Sequence, residues 1–165
     1  MDEEISSLMK NNTWDLVKRP ENSKMVGCKW IYRVKDGLTA TEPKRFKGRL
    51  VAKKYTQRVG VDFKEDFSPV VRHASIRVLL TLTAVKDIKL DQLDVKTAFL
   101  HGRLHEDILM TQPKRYTNPE SADCVCLLKR SLYRLKQSLR QWYFRFDEFM
   151  VTHGYLKCNY DVYVY

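Results

Sequence analysis

The chain has 165 residues, and 44% of them are hydrophobic, which is enough for one domain or two small subdomains sharing a core and argues against general disorder. Lysine and arginine number 30 against 20 acidic residues, and this formal net charge of +10 favours a polyanionic partner, above all nucleic acid. No apolar run reaches the roughly 18 residues of a membrane span, and the acidic N-terminus is unlike a secretion signal, so neither is predicted.

The first part of the chain predicts a helix and a β-hairpin. Residues 2–10 have the apolar periodicity of a short helix, and a short extended piece follows it. Residues 24–35 and 45–57 are rich in β-branched and aromatic residues with bases between them, and they predict two strands. The dipeptide Asp36-Gly37 between these strands is a hairpin turn signal.

The rest of the chain mixes helices and short strands. A loop over 59–71 leads into a helix predicted over 74–87, and an amphipathic helix is predicted over 138–154. Four further strands are predicted, at 88–95, 107–113, 124–129 and 161–165. Because strands and helices alternate irregularly and with hairpins, the pattern predicts an α+β fold rather than a doubly wound parallel sheet.

Positive charge is concentrated in two runs that contain no acidic residue. Seven bases lie between Lys44 and Arg58, and six lie between Lys129 and Arg145, with aromatic residues interleaved. Such segments suit a groove that follows a nucleic-acid backbone, with rings on which bases can stack. The alternative is that both runs are ordinary solvated faces of a basic domain.

The cysteines and histidines give weaker signals. None of the four cysteines forms a C-x-x-C pair, which favours reduced structural thiols in an intracellular protein. His101 and His105 have the four-residue spacing of helical zinc ligands, but Gly102 lies between them and no third ligand follows at a characteristic spacing. A zinc site is therefore disfavoured.

A carboxylate stands at the end of the strand predicted over 88–95. Asp94 closes this apolar-flanked run and is followed by Val95, within the stretch DQLDVKTAFLHG of residues 91–102. A bound cation would offset the cost of presenting this carboxylate in a low-dielectric neighbourhood. An ordinary strand-end or helix-capping aspartate explains the spacing as well, and on spacing alone that simpler interpretation is favoured.

Five ordered blocks change this balance. The chain contains KWIYRVK, RLVAKKYTQ, DFSPVVR, LDVKTAFLHG and SLYRLKQSLRQWYFRF, in this order. Together they resemble the reverse transcriptase region of copia-type retrotransposon polyproteins, and the resemblance covers nearly the whole chain. It implies an incomplete right-hand polymerase fold, with 1–86 mostly fingers, 87–104 palm, 105–136 fingers and 137–165 palm.

The resemblance also implies a reaction and a cofactor. The family adds deoxynucleotides to a primer 3′ end on an RNA or DNA template, and two Mg²⁺ ions held by palm aspartates carry the chemistry. Asp94 matches a catalytic metal ligand, and the backbone carbonyl of Val95 matches a weaker one. With one clear carboxylate, the chain alone is expected to bind these ions weakly at most.

Further residues match family positions around the nucleotide and the nucleic acid. Thr97 and Ala98 would turn backbone N–H groups toward the triphosphate, and Phe99 would lie under the sugar and exclude a 2′-hydroxyl. Gln137 would lie near the incoming nucleotide and template, while Arg49, or else Lys47, would contact the triphosphate. The expected contacts to the template-primer backbone are basic residues of the two runs, namely Lys53, Lys54, Arg58, Arg134, Lys136 and Arg140.

Departures from the family pattern define the alternatives. Arg134 and Leu139 stand where the family usually has glycine and proline, and the usual DPCVY ending reads DVYVY. The Tyr-x-Asp-Asp motif, the thumb and the RNase H region are absent from the sequence, and the motif would lie beyond Tyr165. The sequence thus predicts a truncated reverse transcriptase domain that is inactive alone.

The competing hypothesis is a decayed or domesticated fragment that binds nucleic acid without catalysis. A purely structural basic domain is a third possibility, which requires that the chain does not bind nucleic acid. The expected location under the first hypothesis is intracellular, in a cytoplasmic retrotransposon particle or the nucleus. The sequence does not indicate an oligomeric state.

Overall fold

The computed structural model describes residues 1–37, 43–117 and 119–165, and these form a mixed α and β structure as predicted. The elements are α1 Asp2–Lys10, β1 Trp14–Lys18, β2 Cys28–Lys35, β3 Arg45–Ala52, α2 His73–Val85, β4 Arg103–Met110, β5 Cys124–Arg130 and α3 Ser138–Thr152. Short 3-10 turns lie at Lys54–Thr56, Ala98–His101 and Pro119–Ser121. The predicted hairpin turn falls largely on residues 38–42, outside the described residues.

Two antiparallel sheets organise these elements. β1, β5 and β4 form a three-stranded sheet in that order, and β2 pairs with β3 as a hairpin. Val26, just before β2, links the two sheets, because its N–H donates to Leu109 and its carbonyl accepts from Thr111. The hairpin is thereby held beside the free edge of β4.

The core lies where both sheets meet α1 and the turn at Ala98–His101. Its members are apolar and almost fully buried; they include Leu8, Trp14, Val26, Leu50, Leu100, Ile108, Met110, Cys126, Leu128 and Leu132. Fully burying one such side chain contributes on the order of 1.5–3 kcal/mol. Leu8 and Leu100 matter most for the site, since they tie helix α1 and the 3-10 turn to the same core.

Helix α2 does not share in this packing. It is present where predicted, but none of its residues is buried, and Val78 and Val85 are 64% and 77% exposed. No helix in the described parts of the chain is long and apolar enough to cross a membrane.

The strand predicted over 88–95 is wrong. These residues have no regular secondary structure, and Leu93 is 90% exposed. A strand needs a neighbouring strand edge to satisfy its backbone groups, and among the described residues no strand pairs with this segment. The apolar pattern of residues 88–95 is typical of a strand, but these residues do not join a sheet.

The strand predicted over 161–165 is also wrong. Asp161 accepts a hydrogen bond from the backbone N–H of Tyr163 at 3.1 Å, and the Val164 N–H donates to the Asp161 carbonyl at 3.0 Å. These local bonds form a turn, because a short aspartate side chain competes with strand pairing for backbone donors. Three other strands differ in extent from the predictions. β2 begins at Cys28 rather than residue 24, and β3 ends at Ala52 rather than residue 57. β4 begins at Arg103 and ends at Met110 rather than spanning 107–113.

Candidate nucleotide and nucleic-acid site

A cavity of about 490 Å³ brings three distant parts of the chain together. β3 contributes two bases, the segment before and within the 3-10 turn contributes six residues, and α1 and the loop after β5 contribute one each. The lining residues are Glu4, Lys47, Arg49, Asp94, Val95, Lys96, Thr97, Ala98, Phe99 and Tyr133. The residues from Asp94 to Phe99 to which the resemblance gives a role therefore line the same cavity as Lys47 and Arg49, the two predicted triphosphate contacts.

The turn beside Asp94 has a strained backbone. Thr97 has φ 54, in the left-handed region that a β-branched residue rarely adopts. Its carbonyl accepts from the Leu100 N–H at 2.8 Å, and Leu100 is buried in the core. Because the core fixes the end of this turn, the exposed residues Asp94 and Val95 are carried to the rim of the cavity.

Gly102 allows this turn to approach α3 closely. A Cβ at this position would lie 2.9 Å from the Gln141 side chain and 3.0 Å from its backbone. The Gly102 carbonyl accepts from Ser131 N–H at 2.8 Å, which ties the turn to the end of β5. The close contact requires glycine and fixes the turn from its far side.

Phe99 occupies a central place in the site. Its ring meets that of Tyr133 edge-to-face at 5.7 Å, and the Arg49 guanidinium lies 5.4 Å from the Tyr133 ring. Phe99 also lines two further cavities, of about 270 Å³ with Arg134 and of about 700 Å³ with Lys54 and Arg134. The half-buried ring of Phe99 thus borders three cavities, each of which is lined by basic side chains.

The β-hairpin brings lysine and arginine side chains together on one face. In the register of β2 and β3, Arg33 lies opposite Lys47, and Lys35 lies opposite Arg45. Like charges directly opposite each other are destabilising in a sheet. An anion bound on this face would relieve the repulsion, and Lys47 of this face also lines the cavity beside Asp94.

Two pKa shifts belong to the cavity. Burial raises the pKa of Glu4, against the opposing effects of a hydrogen bond from the Leu50 N–H and the nearby charges of Arg49 and Lys47. Burial also raises the pKa of Tyr133, and the Glu4 carboxylate adds to this shift. The phenol therefore stays protonated at neutral pH, and its ring is a neutral wall of the site.

The remaining bases are distributed unevenly around the site. Lys54 and Lys136 line the 700 Å³ cavity, and Arg134 lines both neighbours of the central one. Lys53 instead lines a separate cavity of about 300 Å³ with Trp30 and Lys114.

Two predicted backbone contacts lie elsewhere. Arg58 is exposed, and its own backbone N–H donates to Asp62 at 2.6 Å. Arg140 forms an ion pair with Glu65 at 2.5 Å and donates to the Phe67 carbonyl at 3.0 Å. The charge of Arg140 is therefore already partly neutralised within the protein.

Gln137 lies inside the protein rather than at the surface of a cavity. It is fully buried, and its amide accepts from Gln57 at 3.1 Å and donates to the Asp62 carbonyl at 3.0 Å. Both ends of the side chain are thus satisfied within the protein. Its predicted contact with the nucleotide stays a prediction that would need these bonds to break.

Arg134 adopts the backbone conformation for which glycine is suited. Its φ is 68, so the arginine bears the steric cost that the family's usual glycine avoids. The turn is held on both sides, because Ala52 N–H donates to the Tyr133 carbonyl and Leu135 N–H donates to the Leu132 carbonyl.

Residues that the sequence analysis missed complete the site. Glu4 reaches the cavity from α1, and Arg33 and Lys35 share the basic face of the hairpin. The alternation of β2 could have placed the two bases beside Lys47, since opposite residues of a hairpin share a face. Nothing in the sequence pattern places Glu4 next to Asp94, because that proximity depends on how α1 packs.

The described residues supply only part of a metal site. Among them no group of three or more histidine, cysteine, aspartate or glutamate side chains lies close enough to hold a metal ion. Mg²⁺ is commonly held by one or two carboxylates together with substrate phosphates, so Asp94 can supply one ligand.

Comparison with known proteins identifies the family of the chain. The sequence model of the reverse transcriptase (RNA-dependent DNA polymerase) family matches residues 11–165. A retrovirus-related Pol polyprotein from transposon TNT 1-94 of Nicotiana tabacum is 48% identical over 166 aligned residues, which span 100% of this chain. A Pol polyprotein from transposon RE2 of Arabidopsis thaliana is 40% identical over 94% of the chain.

The chain spans 12% and 11% of the lengths of these two polyproteins. An uncharacterized mitochondrial protein of Arabidopsis thaliana is 45% identical over 82 residues, half of this chain and 48% of that protein. No solved structure matches the chain. The extent of the family match and of the transposon relatives is decisive: the chain belongs to the reverse transcriptase family of copia-type transposon Pol polyproteins.

Proposed function

We propose that the cavity beside Asp94 is the nucleotide site of an RNA-directed DNA polymerase, to which this chain contributes part of the fingers and palm. The single observation that supports it most is the composition of the cavity. The segment from Asp94 to Phe99 and the bases Lys47 and Arg49 are far apart in sequence, yet they line one hollow. A deoxynucleoside triphosphate needs that combination of a carboxylate, an aromatic wall and cationic side chains.

The proposed roles follow the positions of the groups. Arg49 and Lys47 bind the triphosphate, and Tyr133 orients the Arg49 guanidinium. The backbone N–H groups of Thr97 and Ala98 lie at the same turn and add donors for phosphate oxygens.

Phe99 provides the wall against which the sugar lies. Its edge-to-face contact with Tyr133 limits how far the ring can retreat. A ribose 2′-hydroxyl would then displace the nucleotide from its reactive geometry, and small displacements cost much rate.

For the chain alone we propose binding without catalysis. In the complete family site, two bound Mg²⁺ ions would activate the primer hydroxyl and stabilise the developing charge. Asp94 and the Val95 carbonyl would hold one of these ions in part, and the other ligands would come from elsewhere in the polyprotein. The division into fingers (1–86 and 105–136) and palm (87–104 and 137–165) is part of the same proposal.

The template-primer backbone is assigned to the cavity beside the nucleotide site. Lys54, Arg134 and Lys136 surround about 700 Å³ next to Phe99, with Tyr55 exposed at its edge. Lysine and arginine around a hollow with an exposed ring suit a single-stranded or duplex backbone. An intracellular site of action in a retrotransposon particle or the nucleus is part of this proposal.

A non-catalytic nucleic-acid-binding fragment is the second candidate. Two observations favour it: the incomplete set of metal ligands among the described residues, and Arg134 at a left-handed backbone position that favours glycine.

The deciding experiment uses a fusion of this chain to the segment that follows the matched residues in the Nicotiana tabacum polyprotein. We expect templated primer extension by the fusion and none by the 165-residue chain. Asp94→Asn should abolish extension, because the amide lacks the charge that attracts a divalent cation.

Asp91→Asn is the matched control, since Asp91 is exposed and pairs with Lys89 rather than lining the cavity. Extension that survives Asp94→Asn as well as it survives Asp91→Asn would contradict the proposed role. A fusion that folds, binds nucleic acid and extends no primer would favour the non-catalytic fragment.

A further inference from the structure

Helix α1 brings a second carboxylate into the candidate nucleotide site. Glu4 lies one turn before Leu8, which is fully buried, so packing of α1 on the core fixes the direction in which Glu4 points. Its Oε1 accepts a hydrogen bond from the Leu50 N–H of β3 at 3.3 Å. The sequence model of the family matches residues 11–165, so Glu4 lies outside the residues that it matches.

The Glu4 carboxylate faces the charges that would bind phosphate. From β3 come Lys47 and Arg49, from the segment before the 3-10 turn come Asp94 and Lys96, and the Tyr133 ring closes the wall. The positively charged N-terminus also acts on Glu4. A fixed negative charge among these cations neutralises part of the attraction that they offer to an anion.

The hydrogen bond from Leu50 suggests a simpler, purely structural role for Glu4. β3 pairs only with β2 in the described structure, so the Leu50 N–H lies on the free edge of a two-stranded sheet, and Glu4 satisfies it. That structural role needs an oxygen acceptor and no charge. An effect on the cavity charges requires the negative charge of Glu4 itself. Replacing the carboxylate by an amide therefore separates the electrostatic role from the structural one.

We propose that Glu4 is a specificity-determining residue that competes with bound phosphate for Lys47 and Arg49. The proposal rests on the proposed nucleotide site and deepens it. The carboxylate disfavours free polyanions, and the penalty increases with the charge of the anion, because Coulomb energy is proportional to the product of the charges. A ligand therefore binds only if its interaction with Lys47 and Arg49 is more favourable than the interaction that Glu4 already makes with them.

The test uses the purified 165-residue chain at pH 8 with a chelator and no added metal. Isothermal titration gives the Kd of inorganic tripolyphosphate and of inorganic monophosphate for wild type, Glu4→Gln and Glu3→Gln. Glutamine keeps an oxygen for the Leu50 N–H and removes the charge. Glu3→Gln removes the same charge from the same helix at an exposed position outside the cavity.

We expect Glu4→Gln to bind tripolyphosphate about tenfold more tightly than Glu3→Gln, the size expected for one nearby charge at an effective dielectric near the protein surface. The gain for monophosphate should be smaller, and a structural role of Glu4 would not produce this dependence on charge. Glu4→Asp keeps the charge and should bind like wild type, which separates the charge effect from any loss of packing.

Equal tripolyphosphate binding by Glu4→Gln and Glu3→Gln would overturn the role of Glu4 and leave the proposed nucleotide site standing. A gain that is the same for both anions would also overturn it. If neither wild type nor Glu4→Gln binds tripolyphosphate, then the proposed anion-binding cavity and the role of Glu4 are both wrong.

Discussion

Phe99 is the residue whose replacement distinguishes a nucleotide site from an ordinary core. Its ring is half-buried, meets Tyr133 at 5.7 Å and borders three cavities, so one face remains available to a ligand. A core phenylalanine would instead be surrounded on all sides. Its position therefore permits a sugar contact, while sequence spacing alone does not separate the two roles.

The first prediction concerns this ring. In the active fusion with the Nicotiana tabacum segment, Phe99→Val should raise the kcat/KM ratio of ribonucleotides to deoxynucleotides by at least about tenfold, because the steric wall is shortened. Single-nucleotide extension with each triphosphate gives the ratio, and thermal unfolding is followed in parallel.

Phe146→Val is a matched control, because that ring packs on Trp142 and Tyr165 of the α3 region. It should lower stability by about 1–3 kcal/mol and leave the sugar ratio unchanged. The same pattern in Phe99→Val would assign that residue to the core.

Gln137 and Glu4 show why single residues of the site were hard to predict. Gln137 lies in a recognisable motif, yet the fold buries it against Gln57 and Asp62, which precede it by 80 and 75 positions. Glu4 lies in no motif of the resemblance and is brought to Asp94 by the packing of α1 alone. Local sequence patterns identify candidate functional residues, and tertiary contacts determine which of their side chains lie at the site.

At the scale of elements, α2 depends on a contact from the far end of the chain. The helix buries none of its own side chains, but the Arg72 N–H at its start donates to the Asp161 carboxylate at 3.0 Å. Nearby, the Tyr163 hydroxyl donates to the Pro69 carbonyl at 2.7 Å. Asp161 therefore caps the start of α2 through a tertiary contact, although it is far from the helix in sequence.

The second prediction follows from this weak anchoring. Hydrogen–deuterium exchange should be faster in peptides from α2 than in those from β5, because few buried contacts oppose local opening. Asp161→Ala should accelerate exchange in α2 further and lower the melting temperature by about 2–4 °C.

Asp91→Ala, an exposed aspartate that follows the same helix, should change neither quantity. Protection of α2 equal to that of β5, or an unchanged exchange rate in Asp161→Ala, would show that contacts other than this cap hold the helix.

The third prediction gives the pH dependence of the same cap. Hydrogen bonds from the Ser75 side chain and from the Tyr163 and Arg72 N–H groups lower the pKa of Asp161. A carboxyl whose pKa is lowered by folding stabilises the fold above its unfolded pKa, and this stability is lost as pH falls through the folded value. Wild type should therefore lose more thermal stability between pH 5 and about pH 2 than Asp161→Asn does, and equal losses would contradict the assignment.

The element pattern was predictable where strands and helices pack on each other. The helix over 2–10 and the strand over 124–129 agree with α1 and β5, since their apolar faces find the core that the pattern implies. The strand predicted over 88–95 failed, because strand formation needs a partner edge that no local sequence supplies. The roles that the resemblance gives to the residues around Asp94 stay predictions, and the exposed, irregular backbone of residues 88–95 was not predicted.

For the whole molecule, the net charge and its distribution predict how nucleic acid binds. Lys54, Arg134 and Lys136 gather around one cavity, so binding should depend steeply on salt through the release of condensed counterions.

The fourth prediction is a slope of log Kd against log salt concentration of magnitude roughly 3–6 for a primer-template, measured by fluorescence anisotropy. The triple variant Lys54→Ala, Arg134→Ala, Lys136→Ala should flatten this slope by about 2–3. Alanine at Lys10, Lys86 and Lys89, which are exposed and lie outside these cavities, provides a control of equal charge. Equal slopes for the two triple variants would show that the charge acts through the whole molecule and not through the cavity.

The proposed function requires that the cavity beside Asp94 binds the triphosphate of a nucleotide. The most direct test is the Kd of deoxythymidine triphosphate with Mg²⁺, measured for Lys47→Ala/Arg49→Ala and for Lys29→Ala/Lys53→Ala. Both double variants remove two positive charges from the hairpin and the residues just after it, but Lys29 and Lys53 line the separate cavity beside Trp30. We expect at least about tenfold weaker binding by the first variant and a change below about twofold in the second. Equal losses in the two variants, or none in the first, would contradict it.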